Sequence, residues 1–198
     1  MRRTWQLGVV ALILAASLAL VAAWWQERQQ DADGLPEGGD IALDSTIGAF
    51  SLSQLEDDQL AVVFFGYTWC PDACPMSLGV VRQVRQQLNE EQRQRLVPLM
   101  VSVDPERDTL ERLEEYLGFF GEDFIGATGS TAQLEDIAER YGVIWRKVDT
   151  PDSSADYTID HSVSLYLVNR DGKILRRVLH SPTPGPLRAA LMEEFAES

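Results

Sequence analysis

The hydrophobic and polar positions divide the chain into three parts. Between Leu7 and Trp25 almost every residue is aliphatic, small or aromatic. As a helix, this segment would extend ~28 Å, close to the ~30 Å hydrocarbon core of a bilayer. Residues 27–40 are polar and interrupted by glycine and proline, which is typical of a flexible tether. From residue 41 to residue 198, short apolar runs alternate with longer amphipathic ones, and this pattern predicts one folded domain.

Within that domain, the spacing of apolar residues predicts the element order β-α-β-α-α-β-β-β-α. Runs rich in β-branched and aromatic residues predict strands, and apolar positions that recur at three and four residues predict helices. This order requires right-handed crossovers first and an antiparallel hairpin last, which gives a central mixed sheet flanked by helices, an α/β fold of the thioredoxin-like type. After a period-two run at 50–55, the expected strands are 60–66, 96–103, 143–148, 162–168 and 174–179, and the expected helices are 75–95, 109–120, 130–141 and 186–195.

The N-terminal apolar segment, residues 1–26, has the flanks of a membrane anchor. Arg2 and Arg3 precede its apolar run, and tryptophans lie near both ends of that run, where interfacial aromatic residues are common. Because the positive end stays cytoplasmic, we expect the rest of the chain on the far side of the membrane. The alternative is a cleaved signal peptide, since Val21-Ala22-Ala23 resembles a cleavage site. Signal peptides usually have apolar regions of only ~7–15 residues, which favours the retained anchor.

The charge balance disfavours one class of partner. The chain has 17 Lys and Arg against 31 Asp and Glu, a net charge of -14. Without Arg2 and Arg3, 15 basic residues face 31 acidic ones, so the exported part carries -16. Nucleic-acid binding requires clustered basic residues, and the chain contains only two lysines, Lys147 and Lys173. We therefore expect no nucleic-acid partner. The 45% apolar content is typical of a globular domain.

Two cysteines, Cys70 and Cys74, carry the most specific local chemistry. They are too few for a disulfide framework or an all-cysteine iron–sulfur or zinc site. The strand expected to end near Gly66 places them beyond the carboxyl edge of the sheet, where open α/β sheets hold their sites. Pro75 suits the first turn of a helix, so Cys74 lies at a helix N-terminus, and we expect its thiol to ionise more readily than a free thiol. The alternative is inert packing of two small hydrophobic side chains.

A pair of thiolates is either a redox couple or part of a metal site, and the third group distinguishes the two. The chain contains two histidines, His161 just before an expected strand and His180 at the end of another. Two sulfurs and one imidazole nitrogen form a soft three-coordinate site that suits Cu(I), whereas structural zinc requires a fourth ligand. We therefore predict Cys70, Cys74 and His161 as metal ligands, with Asp160 orienting the imidazole ring. A structural role for His161 is the alternative, and His180 is expected to be an ordinary surface residue.

With these residues identified, the exported part of the sequence resembles the Sco/SenC family, membrane-tethered copper proteins that assist the assembly of cytochrome c oxidase. The resemblance covers roughly residues 41–195 and implies a thioredoxin-like domain in which Cys70, Cys74 and His161 match the three copper ligands. Ala73 stands where members commonly have valine, a departure that touches no ligand. The matching segments are Gly66-Tyr-Thr-Trp-Cys-Pro-Asp-Ala-Cys-Pro75, Ser102-Val-Asp-Pro-Glu-Arg-Asp-Thr109 and Asp160-His-Ser-Val-Ser-Leu-Tyr-Leu167.

The resemblance implies a metallochaperone in the bacterial inner membrane, with its N-terminus in the cytoplasm and its domain in the periplasm. It would take copper, as Cu(I) with Cu(II) as a further candidate state, from a periplasmic donor. It would pass the copper to the CuA centre of cytochrome c oxidase subunit II by ligand exchange. The role of Asp104, Pro105 and Arg107 in the second matching segment does not follow from the sequence.

The rival interpretation is a thiol-disulfide oxidoreductase that keeps the cysteines of the oxidase or of another partner reduced through Cys70 and Cys74. It predicts that His161 is dispensable. Three residues separate the two cysteines, against two in a thioredoxin motif, although a disulfide is within reach. A peroxidase is disfavoured because no Pro-x-x-x-Thr-x-x-Cys pattern leads to Cys70, and a sensor that signals through a partner would leave no distinguishing mark in one chain.

Overall fold

The computed structural model describes residues 34–150 and 157–197, and the chain from Pro36 onward forms one compact unit. The expected membrane anchor at 1–26 lies outside the described residues, and none of the helices within those ranges has the length and apolar character of a bilayer span. The strands are β1 (Leu43–Ser45), β2 (Gly48–Phe50), β3 (Leu60–Gly66), β4 (Leu96–Ser102), β5 (Ile125–Thr128), β6 (Trp145–Asp149), β7 (Tyr157–His161), β8 (Ser164–Val168) and β9 (Ile174–Leu179). The helices are α1 (Ala73–Gln87), α2 (Glu90–Gln94), α3 (Leu110–Gly118), α4 (Thr131–Arg140) and α5 (Gly185–Glu197), with a short 3-10 helix at Leu52–Gln54.

Seven strands form one mixed sheet in the order β2-β1-β5-β4-β3-β8-β9. β3 lies parallel to β4 and antiparallel to β8, and all of its residues are buried, as a continuous apolar run requires in a sheet interior. Helix α3 packs on β5, and α5 packs against β9 and α1. The expected α/β fold, a central mixed sheet flanked by helices, is confirmed. Its inner strand β3 ends at Gly66, shortly before the two cysteines.

Four strands, β1, β2, β5 and β7, were not expected from the sequence, and a fifth, β6, joins a separate sheet. β5 was not expected, because its four residues, two of them glycine and alanine, give too short an apolar run, yet it pairs parallel with β4 inside the sheet. The strand expected at 143–148 is present as β6, but it pairs with β7 in a separate two-stranded sheet. Every β6 residue is exposed or half-buried, so this strand has no fully buried face to contribute to the main sheet.

Two local signals explain further differences near the predicted helices and strands. The helix expected at 75–95 is two helices separated by two residues, because Asn89 and Gln92 form a capping box that starts α2. The period-two run at 50–55 is strand only at Phe50. Its next residue, Ser51, caps the short 3-10 helix with its hydroxyl.

The described end of the expected tether, residues 36–40, is bound to the domain. The N–H groups of Gly38 and Gly39 donate to the carbonyls of Arg140 at 2.9 Å and Gly172 at 2.8 Å. Gly38 and Gly39 have φ values of +74° and +112°, which glycine adopts at no steric cost, and a Cβ on Gly38 would lie 2.4 Å from the Gly172 oxygen. The compact domain therefore begins at Pro36 rather than at residue 41.

Candidate metal centre

The cysteine motif lies where β3 ends and α1 begins. Gly66 closes the strand, and a Cβ at this position would lie 2.5 Å from the Phe64 ring and 2.9 Å from Cys74 Sγ. Only glycine lets the strand pass so close to the sulfur. Helix α1 starts at Ala73, so Cys74 and Pro75 occupy its first turn, as the sequence predicts.

The structure brings Cys70, Cys74 and His161 together. The sulfurs and one ring nitrogen of these three residues all lie within 4.8 Å of one another, a grouping that forms between the start of α1 and the end of β7. Cys74 Sγ is 3.5 Å from His161 Nε2, and the Cys74 N–H donates to Cys70 Sγ at 3.4 Å. Cys74 is fully buried, whereas Cys70 and His161 are partly exposed.

The imidazole of His161 is oriented by the backbone. Nδ1 lies 3.1 Å from the carbonyl oxygen of Ser162, which can only accept, so Nδ1 carries the proton and Nε2 directs its lone pair towards the sulfurs. The rings of Phe64 and Tyr67 meet the imidazole edge to face, with centroids 6.2 and 5.8 Å away. A neutral imidazole with its proton on the outer nitrogen is the form that binds a metal.

Asp160 does not orient the ring, contrary to the expectation from sequence. Successive residues of a strand point to opposite sides, so Asp160 on β7 faces away from its neighbour His161. Its carboxylate accepts a hydrogen bond from Arg146 at 3.2 Å, and both side chains of this pair are exposed. The carbonyl of Ser162 takes the role that was expected of Asp160.

The two thiols differ in pKa. The hydrogen bond from the Cys74 thiol, helped by N–H groups at the start of α1, lowers the pKa of Cys70 to about 4. Burial raises the pKa of Cys74. The expectation that Cys74 ionises readily is therefore wrong, because loss of hydration outweighs the roughly 0.3–1 kcal/mol that a helix N-terminus contributes. In the reduced, metal-free protein the thiolate is on Cys70.

Tyr67, which the sequence analysis did not single out, connects the cysteine loop to β7. Its hydroxyl accepts the N–H of Ile159 at 3.1 Å and forms a 2.7 Å hydrogen bond with the Thr158 hydroxyl. Tyr67 is only 1% exposed, so its polar atom requires such partners. Its place inside the cysteine motif was the available signal, but its partners are about ninety residues away and could not be read from the sequence.

His180 is exposed, as predicted, and is not part of the cysteine cluster. Its Nδ1 lies 3.2 Å from the hydroxyl of Ser77 on α1. Beside the three candidate ligands there is an open cavity of about 390 Å³. Cys70 and His161 line it, and Cys74 does not. An incoming group therefore reaches the site from the side of Cys70 and His161.

Comparison with known proteins finds relatives in both sequence and fold. The model of the SCO1/SenC family matches residues 36–196. An SCO2-like protein of Rickettsia conorii is 33% identical over 162 residues, which cover 82% of this chain and 78% of that protein. The copper-bound structure of Arabidopsis thaliana ScoI superposes with a TM-score of 0.74 at 28% identity, over 82% of this chain and 99% of that one. The copper-bound structure of Bradyrhizobium japonicum ScoI gives a TM-score of 0.69 at 34% identity, over 79% and 98%.

The family match covers the whole compact domain, including the cysteine motif, the loop after β4 and the strand that ends in His161. Its start at residue 36 also agrees with the point at which the chain joins the domain. This chain belongs to the SCO1/SenC family.

Proposed function

We propose that this protein is a membrane-tethered metallochaperone that carries copper on Cys70, Cys74 and His161 and delivers it to the CuA centre of cytochrome c oxidase subunit II. The observation that carries the proposal is the convergence of two sulfurs and one imidazole nitrogen within 4.8 Å. The copper in the structures of the Arabidopsis and Bradyrhizobium relatives supports it.

The donor set fits copper better than the alternatives. Soft thiolates favour Cu(I), and zinc in a structural site prefers four ligands where this cluster offers three. A metal ion deprotonates a coordinating thiol, so the raised pKa of Cys74 does not prevent its use as a ligand. Cys70 is already a thiolate at neutral pH.

The difference in burial between the ligands suits transfer. Cys74 is fully buried, whereas Cys70 and His161 border the open cavity. A thiolate of the acceptor can therefore enter through the cavity and replace the two accessible ligands first, with Cys74 released last. Such an exchange requires no change in the oxidation state of the metal.

The location is proposed from the sequence. Residues 1–26, in which Arg2 and Arg3 precede a long apolar run, would hold the N-terminus in the cytoplasm of a bacterium and the domain in the periplasm. There the domain would meet a periplasmic copper donor and the oxidase subunit. A reporter enzyme that is active only after export, fused at Ser198, should be active, and the same fusion should stay membrane-bound. A stable but inactive fusion, with the reporter retained in the cytoplasm, would contradict this topology.

The decisive experiment measures Cu(I) affinity of the full chain against a competing chelator under reducing conditions. Cys70→Ala, Cys74→Ala and His161→Ala should each lower the affinity by more than the roughly 10- to 100-fold typical of losing an outer-shell partner. His180→Ala is the matched control and should bind like the parent. Copper-loaded parent should then form the CuA centre in a soluble subunit II domain. Affinity that does not depend on His161 would contradict the proposal.

A second function, thiol-disulfide exchange with the same partner, is favoured by one observation, the lowered pKa of the accessible Cys70. The Cys70 thiolate would attack a partner disulfide, and Cys74 would then displace the partner. The partner gains two thiols, the protein gains a Cys70–Cys74 disulfide, and an external dithiol must reduce it again. This activity should survive His161→Ala, so the same variant distinguishes the two functions.

A further inference from the structure

The loop between β4 and α3, residues 103–109, contains a family-matching segment whose role the sequence left open. The loop turns tightly, since the N–H of Asp108 donates to the carbonyl of Asp104 at 2.9 Å. It is also fixed to the main sheet, because the N–H of Val103 donates to the carbonyl of Gly66 at 2.9 Å. The loop is therefore an ordered element beside the cysteine motif.

One side of this loop binds the cysteine loop. The carboxylate of Asp108, which is 1% exposed, accepts hydrogen bonds from the N–H of Thr68 at 3.0 Å and from its hydroxyl at 2.6 Å. The hydroxyl of Ser102 donates to the same carboxylate at 2.7 Å. Thr68 is two residues before Cys70, so these contacts hold the backbone that carries the accessible thiolate.

The other side of the loop binds β7 through Tyr157. The Tyr157 hydroxyl donates to the buried Asp104 carboxylate at 2.7 Å, and Arg107 Nε donates to the same carboxylate at 2.5 Å. Arg107 Nη1 donates to the Tyr157 carbonyl at 3.0 Å, with the guanidinium carbon 3.6 Å from the centre of the Tyr157 ring. Two charge-assisted hydrogen bonds and one cation–π contact thus converge on Tyr157, the first residue of β7, and the Arg107–Asp104 pair joins the two loop residues that make them.

β7 needs such contacts because its backbone pairs only with β6 in the part of the chain that the structure describes. β8 begins three residues after His161 and fixes the chain on that side. The direction in which β7 approaches the cysteines therefore depends on contacts made by side chains. Side chains of the β4–α3 loop bind Tyr157. The hydroxyl of Tyr67 binds Thr158 and Ile159.

We propose that Asp104 and Arg107 are positioning residues, which hold Tyr157 and thereby fix the imidazole of His161 against the two sulfurs. The inference rests on the proposed copper site and adds to it a second set of residues that contact no ligand atom. The β4–α3 loop then positions the whole candidate site, since one side of it binds the cysteine loop and the other binds the strand that carries the histidine.

The test uses the full chain and Cu(I), with Arg107→Gln and the milder Tyr157→Phe, which removes only a hydroxyl. Both should lower Cu(I) affinity by about 10- to 100-fold, as loss of an outer-shell partner does. X-ray absorption of the Cu(I) protein should change from three-coordinate towards the two-coordinate sulfur environment of His161→Ala. In the metal-free reduced protein, hydrogen exchange at 157–161 should become faster.

Two controls separate positioning from general damage. Tyr116→Phe removes a buried hydroxyl that has no partner among the described residues, and Arg146→Gln breaks the exposed pair with Asp160 on the same two strands, so both should bind like the parent. A double variant of Tyr157→Phe with His161→Ala should bind no more weakly than His161→Ala alone, because positioning acts through the imidazole.

The outcomes remain distinguishable. If the parent binds Cu(I) with no dependence on His161, the proposed function itself fails. If the parent depends on His161 but Arg107→Gln and Tyr157→Phe keep its affinity and its three-coordinate spectrum, the positioning inference fails alone. Equal losses of affinity in the presence and absence of the imidazole would also overturn it, since the effect would then not act through His161.

Discussion

Cys74 Sγ lies 3.5 Å from His161 Nε2, although 87 positions separate the two residues in the chain. The contact joins the first turn of α1 to the last residue of β7. Helix α1 follows β3 of the main sheet, whereas β7 belongs to the separate two-stranded sheet. The geometry of the site is therefore a product of the folded domain, and changes that leave all three ligands in place can still alter it.

Gly66→Ala should show this dependence. The added Cβ would meet Cys74 Sγ at 2.9 Å and the Phe64 ring at 2.5 Å, so either the sulfur or the ring must move. Such overpacking typically costs about 1–3 kcal/mol of unfolding free energy. We expect this loss in urea unfolding, together with weaker Cu(I) binding.

The matched control for that change is Gly79→Ala on α1, where a new Cβ meets nothing within 4 Å. Alanine is favoured over glycine in a helix by about 0.5–1 kcal/mol, so this variant should be slightly more stable and bind Cu(I) like the parent. A Gly66→Ala protein as stable as the parent, with unchanged affinity, would contradict the close packing described at the end of β3.

Thiol reactivity should differ sharply between the two cysteines. Because the pKa of Cys70 is about 4, the reduced, metal-free protein should react with iodoacetamide at Cys70 from mildly acid pH upward, with a midpoint near that value. Cys74 should stay unmodified, since it is buried and burial raises its pKa. Mass spectrometry of the labelled peptides measures both rates.

The control for the thiol prediction is Cys74→Ala. The hydrogen bond from Cys74 is the largest cause of the lowered Cys70 pKa, so its removal should move the reactivity midpoint upward, towards the ~8.5 of a free thiol. A midpoint that stays near 4 in the variant would assign the lowered pKa to the N–H groups at the helix N-terminus instead.

Much of the fold follows from local patterns. The all-apolar run at 60–66 is an inner strand of the sheet, and the cysteines follow it at the start of a helix, as expected. The strand at 125–128 could not be found, since its position in the sheet is set by pairing with β4 and β1 rather than by its own composition. The same limit explains β6, whose pattern indicates a strand but not which sheet it joins.

The residues of the candidate site could be predicted from the sequence, but their burial and their hydrogen-bond partners could not. Spacing and residue type point to Cys70, Cys74 and His161, because few side chains suit a soft metal. Which thiol ionises depends on burial, and which group orients the imidazole depends on strand direction, so the expectations for Cys74 and Asp160 were wrong. Both properties depend on the tertiary structure.

Asp108 should make stability depend on pH. Burial raises its pKa, so the folded protein binds this proton more tightly than the unfolded chain does. Its contribution is therefore fully present below the ordinary aspartate pKa of about 3.9 and is lost as the pH rises through the raised value. The Asp108→Asn variant has no titratable group at this position and therefore serves as the reference.

The corresponding measurement is urea unfolding of parent and Asp108→Asn over a series of pH values. The parent's unfolding free energy, taken relative to the variant's, should fall as the pH rises above about 3.9 and level off beyond the raised pKa. Other titrating groups contribute to both proteins and cancel in the difference. A difference that stays constant with pH, or that increases, would mean that the folded state does not raise this pKa.

The segment from Pro36 to Asp40 should stabilise the domain although it was expected to be a tether. A chain that starts at Ile41 loses the hydrogen bonds of Gly38 and Gly39 to Arg140 and Gly172, and leaves the hydroxyl of the buried Tyr141 without its 2.8 Å acceptor at Gly39. With a net value of about 0.5–1.5 kcal/mol for each bond, we expect roughly 2–4 kcal/mol less unfolding free energy than for a chain that starts at Pro36.

Tyr141→Phe provides the internal check on this last prediction. In the chain that starts at Pro36, the substitution removes the hydrogen bond to Gly39 and should lower the unfolding free energy by about 1 kcal/mol. In the chain that starts at Ile41, the hydroxyl is already without that acceptor, so its removal should be neutral or stabilising. Equal losses in both chains would show that the tyrosine hydroxyl does not bind the segment.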